Sequence, residues 1–262
     1  TDSIIISVLF GTIYVGYYSN YNMIIVYLCS IYNLVMTSVE ASIGNLNAEA
    51  NAEKSYNIYL RMDFLVALLN AFCVAEFICV IQDFINVWIG PAFLQGEGLV
   101  LALMFTFYLQ QSMNVVATYR QTLGLFDAVK RIYPIMAVLN IVLSLALGRL
   151  LGISGVVLAT GLSRLATVYW YEGKIVFESL RHEMKEYVLQ QLKNAAVMLL
   201  TVSIAWGLSA MLQIPPIVAI FAKTIIVVLS VLFFQYVFFH KTGEWQWVKG
   251  YIKQKAQSAH TN

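Results

Sequence analysis

The stretch Gly16–Asn22, GYYSNYN, interrupts two runs that are otherwise almost wholly apolar, SIIISVLFGTIYV (3–15) and MIIVYLCSIYNLVM (23–36). A polar, tyrosine-rich knot between two such runs reads as a membrane–water boundary, where tyrosine keeps its ring in the interface and its hydroxyl wet. On that reading it is the hairpin between two membrane segments. The composition agrees: 60% of the 262 residues are hydrophobic, 11% are charged, and the mean hydropathy is +0.73. A soluble domain carries about 25% charge, so the fold class is an all-α, polytopic membrane helix bundle. Strands are disfavoured because the runs are long and lack strict alternation.

At about 20 apolar residues per crossing, the sequence offers about eight spans, roughly 3–18, 20–43, 60–82, 98–118, 132–151, 153–173, 194–212 and 217–239. Their connections alternate in charge. SIGNLNAEANAEKSYN carries Lys54, TYRQTLGLFDAVKRIYP carries Arg120, Lys130 and Arg131, and the stretch from Glu172 to Lys193 carries Lys174, Arg181 and Lys185. By contrast, QDFINVWIGPAFLQGEG and QIPP have no Lys or Arg, and GRLLGISG has only Arg149. The positive-inside rule places the basic set and the tail from His240, with its four lysines, in the cytoplasm. GYYSNYN then falls on the outer face of the membrane.

Two basic-side pieces read as lipid-surface elements. In FESLRHEMKEYVLQQLK, Phe177, Leu180, Met184, Tyr187, Val188 and Leu192 recur at helical spacing, so a helix over about 177–192 is expected to lie in the headgroups. In the tail, 240–262, WQWVKGYIKQK pairs Trp245, Trp247 and Tyr251 with Lys249, Lys253 and Lys255. The transmembrane unit is expected to occupy 1–239.

Little suggests covalent chemistry. There is no GxxxxGK[ST], the histidines (His182, His240, His260) lack Ser or Cys partners by spacing, and no carboxylate pair sits at helical spacing within one span. Cys29, Cys73 and Cys79 give neither a disulfide framework nor a metal motif. No enzyme activity, cofactor, metal or nucleic-acid partner is expected. The candidate site residues are instead the rare charges placed within the spans, where an ionisable group costs a few kcal/mol and usually faces a wet cavity. Arg164 lies near the middle of the sixth segment. Lys223 and Glu76 sit at similar depth, which allows a Glu76–Lys223 pairing. Arg61, Asp63 and Glu40 stand where the second and third segments meet the cytoplasmic face, as anchors or as the rim of an inner gate. Asn70, Asn114 and Asn140 are mid-span polar groups. Gly148-x-x-x-Gly152 and Ala159-x-x-x-Ser163 suit close helix packing, and Pro134 suits a helix start.

The run TDSIIISVLFGTIYVGYYSNYNMII (1–25), followed by SIGNLNA (42–48) and by the W-I-G-P-x-F of 88–93, resembles the C-terminal half of polysaccharide-export flippases. These form the O-antigen and capsule branch of the superfamily that includes the MATE drug exporters. The resemblance implies one lobe of a two-lobed bundle that passes an undecaprenyl-diphosphate-linked oligosaccharide across the membrane by alternating access. It also implies a preceding N-terminal lobe, membrane lipids and polysaccharide assembly machinery as partners. The start at Thr1, close to an apolar run, fits the cut end of a longer chain. A diphosphate suits guanidinium, which ranks Arg164 first for substrate binding, then Lys223 and Arg61, with Glu76, Asp63 and Glu40 at the gate or in coupling. A cation-coupled drug exporter working through Glu76 is the alternative, and a membrane-embedded transferase the third reading.

Overall fold

Gly11 is where the fold departs first from the sequence reading. In the computed structural model, which describes residues 1–48 and 51–259, Gly11 adopts φ 99°, a conformation open to glycine but costly for side-chain-bearing residues. It ends α1 (Asp2–Phe10) and releases α2 (Thr12–Ala48). The chain turns there, not at GYYSNYN, which lies within the continuous α2. The first expected span is therefore a short helix of nine residues, about 13 Å long at 1.5 Å per residue, and the second is a helix of 37 residues.

All described secondary structure is helical. After α2 come α3 (Ala52–Trp88), a 3-10 turn at Pro91–Phe93, α4 (Glu97–Ser112), α5 (Asn114–Thr122), α6 (Phe126–Val129), α7 (Ile132–Leu151), α8 (Ile153–Ala166), α9 (Val168–Ser179), α10 (Met184–Ala210), α11 (Pro216–Phe239) and α12 (Gly243–Ala259). Seven stretches among the described residues are long and apolar enough to cross a bilayer: 12–47, 52–88, 97–122, 126–151, 153–179, 184–210 and 216–239. The protein is an all-α, multi-pass membrane bundle. Three of these spans are broken, at Met113, at Lys130–Arg131 and at Thr167. At the last break a hydroxyl takes up a backbone carbonyl left by the interrupted ladder: Thr167 donates to Ser163 O at 2.6 Å.

The core lies around α3 and α4, with α10 and α11 against α3 and α8 against α4. Lipid is as apolar as leucine, so close contact rather than water exclusion holds such helices together. Glycine supplies that contact. A Cβ on Gly155 would meet Leu147 O at 2.0 Å, and one on Gly161 would meet the Phe105 ring at 2.7 Å. Gly148 sits in the same α7–α8 seam, while Gly152 (φ 66°) is the link between those two helices.

The ends of the bundle differ in charge. One gathers the connections 122–132, 180–184 and 240–243 with Arg131, Lys130, Arg181 and Lys241; the other holds Gly11, 89–96, Gly152 and 211–215. The expected headgroup helix over 177–192 is a correction. α9 ends at Ser179, the chain turns through Arg181 at φ 64°, and α10 starts at Met184. Three of the six residues expected to face lipid headgroups face protein instead: Phe177 and Tyr187 are fully buried and Leu180 nearly so, while Leu192 stays exposed. His182 stacks on Tyr56, ring centroids 3.4 Å apart, and fixes the turn to α3. The tail also packs on the bundle, with Trp245 edge-on to Phe64 and Val248 beside it. His260, Glu49 and Ala50 lie outside the described residues, as does the Lys255 side chain.

Candidate functional site

A hollow of about 490 Å³ opens among α1, α2, α7 and α8, lined on its polar side by Asp2, Tyr18, Asn22, Asn140, Thr160 and Arg164. The break at Gly11 makes it. By turning the chain there, the break lets Asp2 and Tyr18 face one space, so the polar knot of the opening stretch splits its side chains between two tasks. Tyr18 and Asn22, one turn apart, line the hollow and hydrogen-bond each other at 3.2 Å. Tyr21, fully buried, donates to Gln82 Oε1 at 2.8 Å and accepts from the Gln95 backbone N–H at 2.9 Å, while Tyr17 sits edge-on to Phe93. The knot thus lies level with the non-basic end, as a helix face rather than a loop.

On the opposite wall a relay runs from Asn140 Nδ2 to Thr160 Oγ1 at 3.0 Å and from that hydroxyl to Asp2 Oδ1 at 2.9 Å. One turn further along α8 stands Arg164, eleven residues or about 16 Å from the helix start. Its Nε is buried and has no acceptor, and no carboxylate among the described residues lies within ion-pair distance of it. Glu172 and Tyr133 act on it only at longer range. Glu172 is committed elsewhere: Tyr133 OH donates to it, and Arg120 Nε lies 3.4 Å from its Oε2. A donor-rich cation beside a polar hollow halfway through a span can receive an anion.

The other charges behave differently. Lys223 pairs with Asp83 at 2.6 Å, not with Glu76, and stands apart from the hollow. Glu76 instead accepts from Thr224 at 2.6 Å, and its Oε2 is buried without a donor. Arg61, Asp63 and Glu40 do not converge on a gate. The Arg61 guanidinium lies over the Trp247 ring, 5.4 Å from its centroid. Asp63, only 2% exposed, is enclosed between α3 and α10. Glu40 stays on α2 with no ion-pair partner among the described residues. Successive side chains on a helix diverge by about 100°, so 61 and 63 point to different neighbours.

Glu172, Arg120 and Asp2 are polar centres that sequence reasoning passed over. The first two sat in stretches read as water-exposed connections, and Asp2 sat at the very start of the chain. Among the described residues no group of three His, Cys, Asp or Glu side chains is placed to hold a metal. No protein-family model, curated protein or solved structure matches the chain.

Proposed function

We propose that the chain is one lobe of a transporter for a lipid-linked oligosaccharide, with the Arg164 hollow receiving the diphosphate of the carrier. The single observation that carries this reading is Arg164 itself, a guanidinium at mid-span height whose Nε has no acceptor, beside a polar hollow. Guanidinium offers phosphate a planar, two-toothed fork, while the isoprenoid tail stays in lipid. The apolar surfaces of α2 and α7 flanking the hollow, including Ile31, Leu34, Val138 and Val142, suit contact with lipid or with a preceding lobe. In this reading the protein resides in a bacterial inner membrane, its basic end and C-terminus in the cytoplasm.

The test replaces Arg164 in the encoding gene by alanine and by lysine. Surface polysaccharide should fall sharply in Arg164→Ala and partly in Arg164→Lys, at unchanged protein level in the membrane. Wild-type polysaccharide in Arg164→Ala ends the proposal. The cation-coupled exporter rests on another observation, the unpartnered Glu76 Oε2 beside an apolar hollow of about 260 Å³. It requires drug resistance that Glu76→Gln abolishes while polysaccharide is unaffected.

A further inference from the structure

Glu97, Gln82 and Trp206 stand around the mouth of a hollow of about 380 Å³ that the Arg164 site does not use. Three helices make it, and each contributes residues from its half toward the non-basic end of the bundle: 74–82 of α3, 97–108 of α4 and 198–206 of α10. The walls are mostly apolar. Val74, Val100, Met104 and Met198 are buried and form the floor, whereas Leu101, Leu199 and Trp206 are exposed along the rim. Tyr108 is the deepest lining residue on α4. With an apolar rim between two spans, the hollow opens to the lipid side, between α4 and α10.

Its length matches one leaflet. Glu97 and Tyr108 lie eleven residues apart on α4, about 16 Å at 1.5 Å per residue. Half of a hydrocarbon core about 30 Å thick is about 15 Å, so an acyl chain entering at the boundary reaches the bilayer centre along this slot. At the mouth, Trp206 stands at the level where indole anchors in the interface. Gln82 is already engaged, since its Nε2 donates to Gln95 O at 2.6 Å and its Oε1 accepts from Tyr21 OH at 2.8 Å. Glu97 is not. It is exposed, it is the one charge among the described residues lining the hollow, and no described cation lies within ion-pair distance of it. As the first residue of α4 it complements the helix dipole, which leaves its carboxylate oxygens open to an outside donor.

We propose that this hollow binds one phospholipid from the leaflet at the non-basic end, with an acyl chain in the slot and a primary ammonium headgroup on Glu97. Charge decides the headgroup. An anionic glycerol headgroup, or the phosphate of a polyprenyl carrier, would bring negative charge beside Glu97 with no Lys or Arg among the described lining residues to receive it. A quaternary ammonium balances the charge but has no N–H. A primary ammonium brings three donors and makes charge-assisted hydrogen bonds to a carboxylate. Quaternary groups are held best by a cage of aromatic rings, and Trp206 is the one aromatic side chain at this mouth among the described lining residues. Such a lipid fills the gap between α4 and α10 and fastens the two helices. The site is separate from the Arg164 hollow and does not rest on the transport reading.

The experiment uses the chain purified in detergent and stripped of lipid. It is titrated in mixed micelles with phosphatidylethanolamine, phosphatidylcholine or phosphatidylglycerol of identical acyl chains, or with a polyprenyl phosphate. Bound lipid is counted by native mass spectrometry, and stability is read by thermal unfolding. Phosphatidylethanolamine should be retained at one per chain and raise the unfolding temperature saturably. The choline and glycerol lipids should bind about fivefold more weakly, and Glu97→Gln should remove that preference. Val202→Phe, on the slot wall, should abolish retention, while Leu200→Phe, on the exposed face of α10 outside the slot, should leave it intact. Ser203→Phe, also on the slot wall, takes over as the blocking variant if Val202→Phe does not fold. The proposal is overturned by retention that ignores the headgroup, by a preference for phosphatidylglycerol or polyprenyl phosphate, by an ethanolamine preference that survives Glu97→Gln, by one-per-chain retention that survives a folded blocking variant, or by an unfolding temperature that phosphatidylethanolamine does not raise.

Discussion

Removing one partner of an ion pair leaves the other charge stranded, and the cost depends on how dry the survivor is. The protein offers a matched comparison. Glu172 is 1% exposed beneath Arg120, whereas Asp83 is 20% exposed beside Lys223. Arg120→Met should therefore lower unfolding stability in detergent by about 3 kcal/mol. Lys223→Met should cost only about 1 kcal/mol, because water screens part of its effect. The charge-exchanged double variant Lys223→Asp with Asp83→Lys should recover most of that second loss, and no recovery would refute the pairing. Height along the membrane could be read from residue counts, and it put Glu76 and Lys223 at similar depth. Azimuth could not. Lys223 and its neighbour Thr224 diverge by about 100°, and this divergence sends one to Asp83 and the other to Glu76.

Helices in this bundle approach closely where a side chain is missing, so each glycine tests how rigid its neighbour is. At Gly155 the obstacle to a new methyl group is backbone, Leu147 O at 2.0 Å, which has no rotamer to change; at Gly207 there is open space. Gly155→Ala should cost about 3 kcal/mol or more by forcing α7 from α8. Gly207→Ala should raise stability by about 0.5–1 kcal/mol, because alanine favours the helix. Unfolding temperatures of the two variants side by side check the contrast, and an unchanged Gly155→Ala would refute the seam. The same scale explains the misread helix. Tyr187, Gln191, Asn194, Met198, Thr201 and Ala205 form the buried stripe of α10 at alternating spacings of four and three. The periodicity of 177–192 was legible, but periodicity gives a face and not its partner. The amides on that stripe, Gln191 and Asn194, were the available sign that the partner was a buried polar group rather than lipid.

Across the whole molecule the legible quantity was the alternation of basic and non-basic connections, and it survives even though the first turn moved from GYYSNYN to Gly11. The parity holds because α1, though short, still rises to the non-basic end before α2 descends from it. The turn itself was hidden because Gly11 lies inside an apolar run, and only backbone geometry distinguishes a glycine that ends a helix from one that sits within it. This arrangement makes a topological prediction that is independent of substrate. In a variant whose Cys29, Cys73 and Cys79 are replaced by alanine, a new cysteine at Gln95 should react with an impermeant maleimide from one side of sealed vesicles. New cysteines at Lys130 and at Lys241 should react only from the other side. If the positive-inside bias sets the orientation, Gln95 is the position labelled in intact cells with a permeabilised outer membrane. Labelling of Gln95 and Lys241 from the same side would mean an even number of crossings between them. α3 to α11 could then not thread the bilayer as they stack here, and the mid-span height assigned to Arg164 would be lost with them.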